Sequence, residues 1–149
     1  MGDVAIRTEA PEKLALSVLT QRVSGQIEAA TAGFAEKFRF RDEGLALEFD
    51  DKQRLAEFFQ KARENHPDSS LRTDGVFVSG KQVTIEWTLK TTVTEPFYAG
   101  LSRRVPVVLR GASIVQTEGG MITQWTDYYD GPTSRRSALA SYFTEWIEL

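Results

Sequence analysis

The hydrophobic repeat of this chain changes period near residue 70, and that change restricts the architecture more than any other feature. Upstream, between Glu12 and about Lys37, apolar residues fall at Leu16, Leu19, Val23, Ile27, Ala30 and Phe34, the three- and four-residue spacing of an amphipathic helix. Gly25 and Gly33 are points where that helix can break. A short run, Phe38 to Phe40, reads as a strand ending at Arg41-Asp42-Glu43-Gly44, and Leu45, Leu47 and Phe49 alternate beyond it. Asp50 or Asp51 suits the N-cap of a further helix carrying Leu55, Phe58, Phe59 and Ala62, which closes at Asn65-His66-Pro67-Asp68. Downstream the period falls to two. Leu71 to Ser79, Gln82 to Thr94, Val105 to Thr117 and Met121 to Tyr129 are rich in β-branched and aromatic residues, and predict four long antiparallel strands. A tail from Thr133 to Leu149, with Leu139, Tyr142, Phe143 and Trp146 on one face, predicts a terminal helix. Helices followed by a meander define an α+β fold, with helices against one face of a curved sheet.

At 149 residues the chain suits one domain, burying roughly 70% of its unfolded surface. A net charge of −3, with no basic cluster beyond the pairs Arg103/Arg104 and Arg135/Arg136, argues against a nucleic-acid partner. No cysteine and a single histidine, His66, rule out disulfides, thiolate chemistry and multi-histidine metal sites, so no metal and no cofactor are expected. Without an apolar leader or a run long enough to span a bilayer, the expectation is a cytoplasmic protein with no membrane partner.

The stretch TEGGMITQWTDYYD, residues 117–130, carries the chemistry. Alternation puts Thr123, Trp125, Asp127 and Tyr129 on one strand face, so a carboxylate lies among aromatics, where desolvation demands a partner. A two-residue hairpin turn at Glu118-Gly119 sets Thr117 opposite Gly120, and counting back sets Arg110 opposite Asp127, Ala112 opposite Trp125 and Val108 opposite Tyr129. A bulge at the glycines would shift that register. The pair has two readings: a functional acid/base site, or a buried ion pair that fixes strand register. Trp87 and Leu89 share a face and extend an apolar lining or simply pack the core. Asp42, before Gly44 in a turn, reads as a turn or cap residue, and His66 as solvent-facing. Tyr98 hangs over a cavity mouth or covers a sheet edge.

The element order, and especially Gly119 to Asp130 with its Trp-x-Asp-Tyr core, resembles the nuclear-transport-factor-two-like superfamily, over roughly residues 12–131. Within it the stretch is similar to the SnoaL-like group of polyketide cyclases, limonene-type epoxide hydrolases and ketosteroid isomerases. The resemblance implies a single domain over 1–149: a cone-shaped, strongly bent antiparallel sheet wrapped around N-terminal helices, a cystatin-like α+β barrel, with a C-terminal helical extension at about 133–147. It also implies a hydrophobic cavity for a small hydrophobic molecule, and a homodimer through the sheet's outer face. Residue by residue, the epoxide-hydrolase pattern falls on Asp127, while its Arg-x-Asp pair is replaced by Trp87 and Leu89. The isomerase proton shuttle falls at Asp42, and its oxyanion-holding aspartate near Ala112 or Ser113. The cyclase general acid/base falls on Asp127. The expected site is therefore Asp127 and Arg110, with Asp42 as a weaker candidate, lined by Trp87, Leu89, Val108, Ala112, Trp125, Tyr129 and Tyr98. The expected function is acid/base chemistry of the cyclase, isomerase or lyase type on a hydrophobic carbonyl compound; the alternative is a non-catalytic module that binds an apolar ligand or dimerises.

Overall fold

Gly25 divides the first helical segment in two. Helix α1 (Pro11–Ser24) opens on a proline, whose missing N–H costs a first turn nothing, and ends where Gly25 turns left-handed at φ 90°. Helix α2 (Ile27–Ala32) follows. These elements belong to a computed structural model that describes residues 10–96 and 102–130. The terminal helix expected at about 133–147, with Arg135 and Arg136, lies outside the described residues, as does Tyr98.

Strand β1 (Phe34–Asp42) starts earlier than the Phe38 expected from sequence, so Phe34, the last apolar position assigned to the helix, is instead a fully buried strand residue. Strand β2 (Leu47–Phe49) returns against it. Helix α3 (Lys52–Asn65) is capped by Asp51, whose carboxylate accepts the Arg54 N–H at 3.0 Å. Strands β3 (Ser70–Ser79), β4 (Gln82–Pro96), β5 (Ser102–Glu118) and β6 (Met121–Tyr129) form the meander.

The six strands make one open sheet in the order β2-β1-β6-β5-β4-β3. Hairpin links make β3 to β6 antiparallel, but β1 and β6 are far apart in sequence, and no hairpin constrains them; they pair in parallel, with Phe40 beside Trp125 and Asp42 beside Asp127. The four expected strands of the meander are antiparallel, and the one parallel contact is where β1 joins them. Helix α1 packs over β3 and β4, and α3 over β1 and β2. Leu14, Ala15, Val18 and Leu19 of α1, with Leu55 and Phe59 of α3, meet Phe34, Phe40, Ile85, Val115, Ile122 and Trp125 of the sheet in one core. Each of the Val, Leu, Ile and Phe side chains contributes about 1.5–3 kcal/mol on burial. No helix among the described residues is long and apolar enough to cross a membrane.

The β5–β6 hairpin decides what faces the interior. Its turn is Gly119-Gly120, with φ of 59° and 78°, so Glu118 opposes Met121. A bulge at Thr123 follows: Thr117 opposes Ile122, but Gln116 opposes Gln124. Turn and bulge together place Ser113, not Arg110, opposite Asp127. Because the move from Arg110 to Ser113 is three positions, an odd number, the inward face of β5 is the other one. Arg110 lies on the outer face across from Thr88, and Ala112 and Val108 lie there with it, Val108 being 44% exposed.

A side chain at Gly119 would meet nothing within 4 Å, so any penalty there is purely conformational. We expect Gly119→Val to lower unfolding free energy by about 1–2 kcal/mol in urea titrations and Gly119→Asn to cost much less. Equal losses would show that the turn does not depend on its left-handed backbone.

Candidate functional site

Between α3, the end of α1 and the inner face of the sheet lies a cavity of about 350 Å³, at the lower end of the range for small-molecule sites. Arg22, Asp42, Trp87, Asp127 and Tyr129 form its polar end, while Phe58, Leu89, Val93 and Leu109 are among the apolar residues of its walls.

Asp127 is only 1% exposed, and its two oxygens take three donors. Oδ1 accepts from Ser113 Oγ at 2.6 Å and from Trp125 Nε1 at 2.7 Å. Oδ2 accepts from Arg22 Nη2 at 2.6 Å. Behind Ser113, Trp87 Nε1 donates to Oγ at 2.9 Å. An indole nitrogen only donates and a serine has one proton, so the direction is fixed: Trp87 to Ser113 to Asp127. Trp87 reaches this position because Gly111 stands opposite it, where an added Cβ would lie 2.6 Å from the indole.

Arg22 rises from the last turn of α1 with its guanidinium carbon 5.0 Å from the Phe59 ring centre, 5.3 Å from Phe40 and 5.7 Å from Trp125. Its Nη1 is buried and finds no acceptor among the described residues, so ring faces are its attractive surroundings. The aromatics around Asp127 thus serve its counter-ion, and one of them is its donor.

Asp42 stands next to Asp127 across the parallel strands and is 4% exposed. Its Oδ1 accepts the Leu45 N–H at 2.9 Å and the Tyr129 hydroxyl at 2.8 Å, while Oδ2 takes no hydrogen bond among the described residues. Burial raises the Asp42 pKa above the ordinary carboxylate value, and the Asp127 charge adds to this; the bonds from Tyr129 and Leu45, and the Arg22 charge, pull the other way. Burial, reinforced by both carboxylates, pushes the Tyr129 phenol strongly upward, so it stays protonated and donates. Gly44 lies flat against the Tyr129 ring, where any side chain would collide with it.

The residues expected from sequence separate into groups. Asp127, Asp42, Trp87, Leu89 and Tyr129 come together on the cavity. Trp125 is fully buried beneath the site as a donor to Asp127 and is not part of the lining. Arg110, Val108 and Ala112 are on the opposite side of the sheet, for the register reason given above. His66, expected to face solvent, lines the cavity and donates from Nδ1 to the Thr92 carbonyl at 3.0 Å, an assignment that follows because a carbonyl can only accept. Arg22 was not anticipated. Its signal was an arginine on the buried stripe Ala15, Val18, Leu19, Arg22.

An α+β domain of a bent sheet packed against helices is a fold with many solved examples. A profile of the SnoaL-like domain matches residues 18–125, and the chain belongs to that family. Solved structures share the fold at low identity. A Shewanella putrefaciens protein assigned as a SnoaL-like polyketide cyclase superposes with a TM-score of 0.74 at 11% identity, over 89% of this chain and 87% of that one. An LEH-like epoxide hydrolase from M. tuberculosis gives 0.71 at 14% identity, over 93% and 96%. A Catenulispora acidiphila protein with a ketosteroid isomerase-like fold, solved with trimethylamine, gives 0.73 at 14% identity, over 85% and 92%. No curated protein matches the sequence.

Removing one partner of a buried pair leaves an uncompensated charge. Arg22→Met is expected to cost about 3–5 kcal/mol in denaturant titrations, and adding Asp127→Asn to recover much of that loss. Additive losses in the double variant would mean that the two groups do not depend on each other.

Proposed function

We propose that the protein is a small-molecule enzyme that moves a proton on an apolar, carbonyl-bearing ligand held in this cavity. The observation that carries the reading is Asp42: a buried carboxyl with a raised pKa, one oxygen held by Tyr129 and Leu45, and the other without a donor among the described residues. A buried carboxyl with one oxygen free to face a ligand is suited to take and return a proton. Asp127 differs in its hydrogen bonding, with donors on both oxygens. In this reading it is the fixed anion that holds Arg22 in place, and the general acid/base assignment passes from Asp127 to Asp42.

The chemistry follows from those roles. Asp42 as carboxylate takes a proton from carbon next to the ligand's carbonyl. The C–H electron pair moves into the new carbon–carbon double bond, and negative charge appears on the carbonyl oxygen. The Arg22 cation favours that charge in a low-dielectric site. Return of the proton to a different atom is isomerisation, and attack of the enolate on a second carbonyl is ring closure. The SnoaL-like family and its cyclase, isomerase and epoxide-hydrolase fold neighbours support this class without choosing among its reactions.

The second reading, a module that holds an apolar ligand without turnover, draws on the saturated hydrogen bonding of Asp127. For the homodimer expected from sequence, the surface available is the outer sheet face, where Phe77 and Tyr128 are 58% and 47% exposed.

Incubating the protein in deuterium oxide with a panel of apolar ketones and following loss of the α-proton signal by NMR separates the two. Wild type should accelerate exchange, and Asp42→Asn should reduce the rate by about 10²–10⁴-fold, while keeping the bonds from Tyr129 and Leu45 through its amide oxygen. Ligands that bind with no exchange would sink the catalytic reading, and exchange surviving in Asp42→Asn would remove Asp42 from it.

A further inference from the structure

The cavity has a second polar end. On β4 the inward residues Trp87, Leu89, Thr91 and Val93 all line it, which gives a length scale. At about 3.3 Å per residue, Trp87 beside the carboxylates and Thr91 further along the strand are roughly 13 Å apart, with the apolar Val93 one inward position beyond. Between them the walls are apolar, formed by Leu89, Leu109, Phe58 and Ala62. Around Thr91 the surroundings turn polar again: Ser69 Oγ is 3.0 Å from Thr91 Oγ1 and 2.9 Å from the His66 carbonyl, and His66 and Lys61, from the end of α3, both line the cavity.

The charges are arranged unevenly. Both acids of the lining, Asp42 and Asp127, sit at the inner end. Among the described residues four basic ones line the cavity, and two of them are already engaged: Arg22 by Asp127, and Arg63 by the Val23 carbonyl at 3.1 Å, where it closes the end of α1. That leaves Lys61 and His66. Lys61 makes no ion pair among the described residues. The His66 ring is oriented by its Nδ1–H bond to Thr92, and Nε2 makes no hydrogen bond among them. Of the acids nearest in sequence, Glu64 accepts from Gln60, Asp68 accepts from Thr92 and pairs with Arg104, and Glu57, one helical turn before Lys61, makes no ion pair among the described residues.

We propose that Lys61 and His66, beside Thr91, form an outer anion-binding station, and that the ligand is an elongated apolar molecule with a carbonyl at its inner end and a carboxylate at its outer end. This deepens the function proposed above and rests on it for the inner end alone. One lysine charge matches one carboxylate. A dianion would outweigh it, and a neutral ligand would leave the ammonium and imidazole to water.

The test uses a matched pair of ligands: para-acetylbiphenyl, and the same ketone carrying a carboxylate at the far para position. Isothermal titration against wild type should show the acid binding at least about tenfold more tightly than the neutral ketone, the scale of one hydrogen bond to a charged group. Lys61→Met and His66→Gln should lower affinity for the acid, and the double variant should bring it down to that of the neutral ketone, whose own binding stays unchanged. Both positions are at least partly exposed, and thermal melts confirm that the variants are folded. Equal affinity of wild type for the two ketones overturns the proposal, as does a preference that survives in the double variant, or failure of both ketones to bind. The same samples in deuterium oxide keep the two claims apart. Acid preference without exchange at the acetyl group removes the catalytic reading and leaves the outer station standing; exchange without acid preference does the reverse.

Discussion

The ion pair between Arg22 and Asp127 is the contact on which the other arrangements turn. It joins α1 to β6, two elements separated by most of the chain, through a 2.6 Å bond inside a shell of Phe40, Phe59 and Trp125. A carboxylate buried that deeply is tolerated only if its lone pairs are filled, and here β5, β6 and α1 each supply a donor. The bulge at Thr123 is therefore more than a local irregularity, since it brings Ser113 opposite Asp127. Gly111 has a comparable role at one remove: its missing side chain admits Trp87, which orients Ser113.

Two aspartates on adjacent strands are driven apart in character by this arrangement. Asp127 has donors on both oxygens, while Asp42 has a phenol and one backbone N–H on a single oxygen, and a carboxylate for a neighbour. Placing like groups in unlike surroundings is how a site obtains one fixed charge and one exchangeable proton. The arrangement has a stability consequence with a definite sign. A carboxyl whose folded pKa is raised binds protons more readily in the folded chain. Its contribution is therefore fullest below the unfolded value, and declines as pH rises through the window between the unfolded and the folded pKa. Keeping Asp42 ionised above that window costs stability.

The fold was largely legible because period and punctuation are local. The β-rich second half, an aspartate cap at Asp50 or Asp51, the Gly25 break and the Ser79-Gly80-Lys81 separator all followed from residues within a few positions of each other. What failed was non-local. The parallel pairing of β1 with β6 has no short connection to reveal it, and Phe34 continues the helical spacing although it begins a strand. At the site, Asp127 was legible from its motif, but its partner was not. The register depended on which two residues made the turn and on one bulged threonine, and that was enough to exchange Arg110 for Ser113 and turn Val108 and Ala112 outward. Arg22 was hidden by an assignment of the α1 stripe to Leu16, Leu19 and Val23, whereas the buried face runs through Ala15, Val18 and Leu19.

The central claim is that Asp42, not Asp127, carries the exchangeable proton. Carbon-detected NMR titration of the aspartate side-chain carboxyls, with Asp42→Asn identifying the resonance, measures it directly. The account predicts an Asp42 midpoint clearly above the ordinary 3.8. A midpoint at or below that value would mean that Asp42 is a solvated turn residue, and would contradict the account.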